Sequence, residues 1–443
     1  MKKYLYLTLI LFTGIVFSLV IAFSEKPASA APGFKERMGR VGLSGEWINT
    51  KKAIEGLLET IRKQPDNYKA MLELSQAYVQ EARVTGDHAY YDKASLELLD
   101  KVLVNQPKNF EALCLKATVL LSQHHFAEGL EIAKKAQPIN PDNAFIYGIM
   151  CDANTELGDY NEAVKMADKM VAMRPDIRSY SRVSYLREIH GDINGAIEAM
   201  KLAVSAGYPG LEQSEWSRII LAHLYELKGD LNAAEFQYKT ALSERPDYAY
   251  ATAGLGKIAA IKKDYKSAIK QYEEARSLTA DYAFSDELTD LYAWNNEPTK
   301  SAANAKKVIE MLGADAGNES DNLHGHYADK ELAWAYLKTG DLEKAATHAK
   351  LEYDRRPKNI ETCETMAWVA YKQGKYKEAS FYITKALSTR SKNPMLLCRA
   401  GIIWLKSSPN LNAKIIVKST LPIVKDLDPS LYVDANNALK SAI

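Results

Sequence analysis

Apolar residues recur along this chain at three- and four-residue spacing, the period that gathers them on one stripe of an α-helix. Short turns of small or polar residues interrupt the stripes at regular intervals: Gly158-Asp159, Gly191-Asp192, Gly229-Asp230, Lys263-Asp264, Gly340-Asp341 and Gly374-Lys375. Glycine there tolerates the left-handed backbone that ends a helix. The residues that follow repeat as well. Gly158 leads to Tyr160, Ala163 and Pro175, Gly229 to Leu231, Ala234 and Pro246, and Gly340 to Leu342, Ala345 and Pro357. Pro107, Pro141 and Pro175 stand 34 residues apart. A fixed period of this length predicts an array of antiparallel helix pairs, in which each pair completes the core of its neighbour.

Two sets of small residues are expected where paired helices approach closely. In the first helices these are Ala117, Cys151, Ser184, Ala222, Gly256, Ala333, Ala367 and Gly401. In the second helices they are Gly129, Ala163, Ala196, Ala234, Ala268, Ala302, Ala345 and Ala379. Counting back from the prolines divides the chain into a tether (31–50), a capping helix (51–65), six repeats (66–280), a degenerate repeat with an insertion loop (281–325), three further repeats (326–429) and a C-terminal capping helix (430–443) that Ser430 is placed to cap. The first repeat carries eight extra residues near Arg83–Tyr90. The repeat at 281–313 breaks the pattern, with Asp290 at its small position and the turn Asn296-Glu297-Pro298, and weaker packing is expected there.

These turns, small positions and prolines resemble the tetratricopeptide repeat family over about residues 66–429. The resemblance implies an all-α, right-handed superhelical solenoid of antiparallel helix pairs, with the first helices lining a concave groove. It also implies a role in holding other proteins or peptides.

Helical geometry separates the faces of each first helix. Positions 4, 7, 8 and 11 point toward the partner helix, and positions 2, 9 and 13 point away from it. The outward positions are unusually aromatic. Position 2 holds Phe145, Trp216, Tyr250, Phe284 and Tyr327, and position 9 holds Tyr185, Trp334 and Trp368. Lys330, Lys338, Glu364 and Lys372 flank the last two. Rings of this kind supply large contact area and a polar handle to a recognition groove. The stretch 178–190, which includes Arg178, Arg182 and Tyr185, is the first helix densest in Arg and Tyr, and it suits bidentate contact with a carboxylate or phosphate. The asparagine columns that serve two specialised grooves of the family are missing from positions 6 and 9.

Charge and composition narrow the function. The 57 basic and 56 acidic side chains nearly cancel, which argues against nucleic acid as the main ligand. No P-loop, dinucleotide glycine motif, HExxH or GxSxG is present, so neither catalysis nor a cofactor is expected. Glu319, Asp321, His324 and His326 share the insertion loop without a spacing that fixes metal geometry. Cys114 and Cys151, like Cys363 and Cys398, sit about one repeat apart. Adjacent helix axes lie about 8–10 Å apart, whereas a disulfide needs Cα atoms within about 7 Å. Buried free thiols are therefore favoured over bridges.

Lys2-Lys3 precedes an uncharged apolar stretch from Tyr4 to Phe23, and Ala28-Ser29-Ala30 offers a cleavage site. The segment reads as a signal peptide or a retained membrane anchor, and either one exports the remainder. The sequence reading is thus an exported, non-enzymatic scaffold of the cell envelope that binds a protein or peptide. A glycan or cell-wall-fragment binder is the alternative. If residues 1–30 are a signal peptide, the mass of the exported protein corresponds to a chain starting at Ala31; a full-length mass identifies an anchor.

Overall fold

The computed structural model describes residues 31–37, 44–315 and 325–441. The proposed signal or anchor (1–30), part of the tether and most of the insertion loop, including Glu319, Asp321 and His324, lie outside the described residues. The described residues form 22 helices and no strand. After α1 (Ser44–Lys63), ten helix pairs follow. The first five are α2 and α3 (Tyr68–Thr85, His88–Asn105), α4 and α5 (Phe110–Ser122, Phe126–Ala136), α6 and α7 (Ala144–Leu157, Tyr160–Met173), α8 and α9 (Ile177–Ile189, Ile193–Ser205), and α10 and α11 (Glu212–Lys228, Leu231–Glu244). The second five are α12 and α13 (Ala249–Ile261, Tyr265–Leu278), α14 and α15 (Tyr282–Trp294, Pro298–Asp315), α16 and α17 (Asp329–Thr339, Leu342–Arg355), α18 and α19 (Ile360–Lys372, Tyr376–Ala386), and α20 and α21 (Pro394–Ser407, Leu411–Leu427). α22 (Pro429–Ser441) closes the array. No helix among the described residues is long and apolar enough to cross a membrane.

The turn chemistry explains the pairing. Gly158, Gly229 and Gly340 end their helices at φ near 80°. Asp230 and Asp341, directly after two of them, accept the backbone N–H of Ala233 and Lys344 and so start the second helix. His124, Lys263 and Asn296 take the same left-handed conformation where glycine is missing. The small positions are fully buried: Ala117, Ala222, Ala333 and Ala367 of the first helices, and Ala163, Ala196, Ala234, Ala268, Ala345 and Ala379 of the second, are all 0% exposed. A Cβ added at Gly256 would lie 2.8 Å from the Tyr272 ring, and one at Gly401 would lie 2.6 Å from Val417.

The seventh repeat corrects the expected register. Lys263 and Asn296, its two bounding turn residues, are 33 residues apart, one short of the usual period. One residue turns a helix face by 100°. Thr289 therefore occupies the buried small position in place of Asp290, and Ser301 replaces Ala302, which is exposed. The Ser301 hydroxyl donates to the Thr289 carbonyl (2.8 Å), and Asn304 donates to the Thr289 hydroxyl (2.9 Å). The extra residues of the first repeat lengthen α2 and α3 to 18 residues each and do not form a loop. At the C-terminus, Asp428 and not Ser430 accepts the Leu431 N–H, which leaves the Ser430 hydroxyl to the Trp294 indole N–H (3.1 Å). All four cysteines are buried and free, and burial pushes the Cys114 and Cys151 thiols up to about 12. Residues 31–37 lie across the first repeat, where Tyr90 donates to the Gly33 carbonyl (2.7 Å) and Arg37 pairs with buried Glu81 (2.9 Å).

One feature has no local sequence signal. Successive turns of the solenoid touch along a ladder of polar contacts between residues 194 to 204 positions apart. At one rung Ala280 N–H and the Thr279 hydroxyl donate to the Thr85 carbonyl (3.1 and 2.8 Å). At the next, Tyr327 N–H donates to the Gln123 carbonyl (3.0 Å). Further on, Ile360 N–H donates to the Tyr160 hydroxyl (2.9 Å), Asn359 to the Glu156 carbonyl (3.0 Å), and Lys358 pairs with Asp159 (2.9 Å). Arg245 reaches Glu46 of α1 (2.8 Å) at the other end. Each rung joins the turn within one repeat to the start of the repeat six further on.

Gly158 sits inside this ladder: a Cβ there would fall within 2.5 Å of the Lys358 carbonyl oxygen, whereas one at Gly340 meets nothing within 4 Å. Both glycines have left-handed backbone, so Gly340→Ala should cost about 1–2 kcal/mol. Gly158→Ala should cost that and about 1–3 kcal/mol more from overpacking. Urea denaturation of the two variants measures the difference, and equal losses would show that the contact between turns carries no weight.

Candidate functional site

The first helices of the first five repeats (α2, α4, α6, α8 and α10) surround a cavity of about 1420 Å³. Phe110, Phe126, Phe145, Tyr185, Trp216 and the His124 imidazole supply its rings. Lys330 and Arg356 reach its wall from the next turn of the solenoid, so the contact between turns supplies one side of a half-open cavity. Basic side chains outnumber acidic ones along the lining.

Most of those charges are matched. Arg182 holds Asp152 through two bonds (2.8 and 2.5 Å) and reaches the Gly148 carbonyl (3.2 Å). Arg83 pairs with Glu212 (3.2 Å), Arg356 with Glu156 (2.5 Å) and Lys330 with Glu361 (2.7 Å). Arg178 differs. Its guanidinium stands over the Phe145 ring at 5.4 Å, and among the described residues no carboxylate lies within ion-pair distance of it. Arg178 is exposed at the cavity, and partial desolvation with the like charges of Arg182, Arg174 and Arg83 pulls its pKa down against the one opposing carboxylate of Asp176. An arginine keeps its proton under such pressure and gains most from an incoming anion.

The far wall is an ion network across the two turns. Burial, and then the neighbouring Glu361 carboxylate, push the Glu156 carboxyl up, while Lys330 holds Glu361 well below the usual carboxylate range. Tyr185 donates to Glu361 (3.4 Å), and that carboxylate together with burial pushes the phenol well up. Among the described residues no group of three or more His, Cys, Asp or Glu is arranged to hold a metal ion.

The structure separates the residues expected to form one aromatic groove. Phe145, Tyr185, Trp216 and Arg182 line the cavity together. Tyr250 packs edge-on against Trp216 (5.0 Å) and donates to Asp281 (2.9 Å), which places it behind the wall. Phe284 is only 4% exposed and packs on Tyr250 and Tyr272, because the one-residue slip of its repeat turns it inward. Tyr327 lies in the ladder between turns, stacked on His125 at 3.9 Å under Arg355.

Trp334 and Trp368 likewise face no open groove. Trp368 is 6% exposed, in the cluster that α22 closes through Leu431 and Ala435. Tyr371 stacks on it at 4.8 Å, and the Arg399 guanidinium covers both tryptophans at 4.9 and 5.6 Å. Glu364 in turn holds Arg399 (2.7 Å), and the Trp334 indole donates to Thr365 (3.0 Å). Lys338 is taken by Asp286 and Asp290 (2.9 and 2.7 Å), and Lys372 by Asp434 of α22 (2.6 Å). Phe110, Arg83 and Arg356 join the cavity without having been expected there. Phe110 falls one position before the outward column, and only the closure between turns brings Arg356 in.

This geometry defines a helical-repeat solenoid wound around an internal cavity. Residues 221–283 and 360–393 match models of the tetratricopeptide repeat, and the paired helices form an all-α solenoid of tetratricopeptide-repeat-like architecture. Among curated proteins none matches the chain. Solved structures resemble it at the level of the fold. A tetratricopeptide repeat protein of Parabacteroides merdae is 17% identical over 56% of this chain and 93% of its own, with a TM-score of 0.43. A thermophilic one of Thermus thermophilus is 21% identical over 40% and 91%, with a TM-score of 0.35. The Cut9–Hcn1 hetero-tetramer of the APC/C provides a chain 15% identical over 85% and 74%, with a TM-score of 0.42.

Burial makes Trp368 and Phe284 core residues, so each should fail as a binding probe. Trp368→Ala and Phe284→Ala are expected to lose about 3–5 kcal/mol of stability. Denaturant melts that leave either variant as stable as the wild type would return that ring to the surface.

Proposed function

We propose that this protein is a non-enzymatic interaction scaffold that holds an extended segment of a partner protein inside the coil. Tetratricopeptide repeats generally mediate protein binding, and folds of this kind are typically non-catalytic. The observation that carries the finer reading is the cavity itself: aromatic walls at Phe145 and Trp216 beside Arg178, the cation without a carboxylate of its own. An apolar side chain of the partner packs against the rings, and an acidic group beside it meets Arg178. Export to the cell envelope belongs to the same proposal, supported by the apolar segment from Tyr4 to Phe23 and the Ala28-Ser29-Ala30 site. A glycan alternative draws on stacked Trp and Tyr rings, of which those at 334 and 368 are covered by Arg399 and Tyr371 while Tyr185 and Trp216 line the cavity.

The test is in-cell crosslinking and capture with wild type beside Arg178→Ala and Trp216→Ala, followed by titration of the captured partner's segment. Loss of a charged hydrogen-bond partner costs about 1.5–3 kcal/mol, so Arg178→Ala should weaken binding about tenfold to a hundredfold with little change in melting temperature. A partner bound equally by wild type and both variants would place the binding surface elsewhere.

A further inference from the structure

The ladder between turns is built from backbone groups, hydroxyls, amides and ion pairs, and one rung adds imidazoles to its backbone bond. His124 Nδ1–H donates to the Tyr327 carbonyl (2.9 Å), and His125 Nε2–H donates to the Gly325 carbonyl (2.7 Å). The His124 and His326 rings meet at 4.2 Å, although the two residues belong to different turns of the solenoid. Opening the rung therefore parts the two rings and frees both carbonyls. This rung is also a wall of the cavity, since His124, Phe126, Lys330 and Arg356 all line it.

The surroundings resist further positive charge. Lys330 of α16 and Arg356 stand near His124, with Arg356 over the Phe126 ring at 4.7 Å and Arg355 over Tyr327 at 4.3 Å. The nearby acids are largely engaged elsewhere. Glu352 at the end of α17 holds Arg355 (2.6 Å) and Arg356, Glu331 lies within 3.6 Å of Lys330, and Asp92 of α3 takes both His88 (3.0 Å) and Ser122 (2.6 Å). Glu128 of α5 acts on Tyr327. Because one nitrogen of His124 already donates to a carbonyl, a second proton there makes an imidazolium 4.2 Å from the His326 ring.

We propose that acidification opens the coil at the His124–His326 rung and so unlatches the side wall of the cavity. In the closed rung, burial and then Lys330 lower the His124 pKa to about 4, and burial and then His124 lower that of His326 to about 3. Freed imidazoles titrate near the ordinary value of about 6.5. Between those values the open form binds more protons than the closed one, so closure is fully favoured above pH 6.5 and weakens as the pH falls. The limiting slope is about tenfold per pH unit for each histidine. The next rung responds in the opposite sense. Burial and Glu361 raise the Glu156 pKa, so the closed form takes up that proton more readily, and acid favours closure there even as Glu156 gives up its charge toward Arg356. Opening is therefore local.

Amide hydrogen exchange on the full chain reads this rung by rung, with no ligand present. Tyr327 N–H reports the histidine rung, while Ala280 and Ile360 N–H report the rungs on either side. Corrected for intrinsic rates, Tyr327 should lose at least tenfold in protection between pH 7 and 5, and Ala280 and Ile360 should change little. In a His124→Gln/His326→Phe variant, which keeps a donor, a ring and His125 but removes the two imidazoles that meet across the turns, that loss should vanish. Constant protection of Tyr327 in the wild type, or an unchanged pH response in the folded variant, would overturn the proposal. If circular dichroism shows the double variant unfolded, His326→Phe alone should halve the slope, and an unaltered slope counts equally against it. Release of a bound segment on opening rests on the cavity being the peptide site. A segment that binds at pH 7 and leaves at pH 5 from wild type but not from the variant supports both readings. A segment that never binds removes the peptide reading and leaves the exchange result standing.

Discussion

The contact between successive turns is the constraint on which the remaining architecture depends. A helical-repeat array ordinarily needs only nearest-neighbour packing, and its stability is a sum over repeats and their interfaces. Here each rung joins segments about six repeats apart, from the Arg245–Glu46 pair to the contacts of Gly158 with Lys358. A single hydrogen bond contributes only about 0.5–1.5 kcal/mol net, but the rungs act on one geometric variable, the closeness of the two turns. That variable sets how far Lys330 and Arg356 come in to wall the half-open cavity of the first five repeats.

Closing the coil also changes how the aromatic residues are used. In the first turn, Phe145, Tyr185 and Trp216 remain accessible from the cavity. In the second turn, the equivalent face is filled from within the chain. α22 folds over Trp368 and its Asp434 accepts from Lys372, Arg399 lies on two indoles, and Lys263 reaches the Lys425 carbonyl (2.8 Å). The two halves share a repeat and differ in what covers it.

Local chemistry was legible in the sequence. The Gly-Asp turns, the buried alanines and the glycines that touch Tyr272 and Val417 follow from steric rules acting within one helix pair. The seventh repeat failed by a single residue: a 33-residue spacing rotated Asp290 out and Phe284 in, and no property of either side chain announced the slip. The cavity was legible in part, through Phe145, Tyr185, Trp216 and the arginines of α8. Its closure was not. Contacts between Gln123 and Tyr327, or Asn359 and Glu156, depend on the accumulated rotation of six helix pairs, and small differences in each pair sum before they are felt.

The ladder also fixes the arithmetic of the repeats. In an open array, a whole 34-residue unit can be gained or lost at little cost, since each neighbour finds an equivalent neighbour. In this chain, removing one unit between Gly158 and Lys358 would bring every later start segment one repeat too early to its rung. His124 would no longer find Tyr327, and Tyr160 would no longer find Ile360. Repeat number, which is a free parameter of most solenoids, is here as constrained as a side chain in a core.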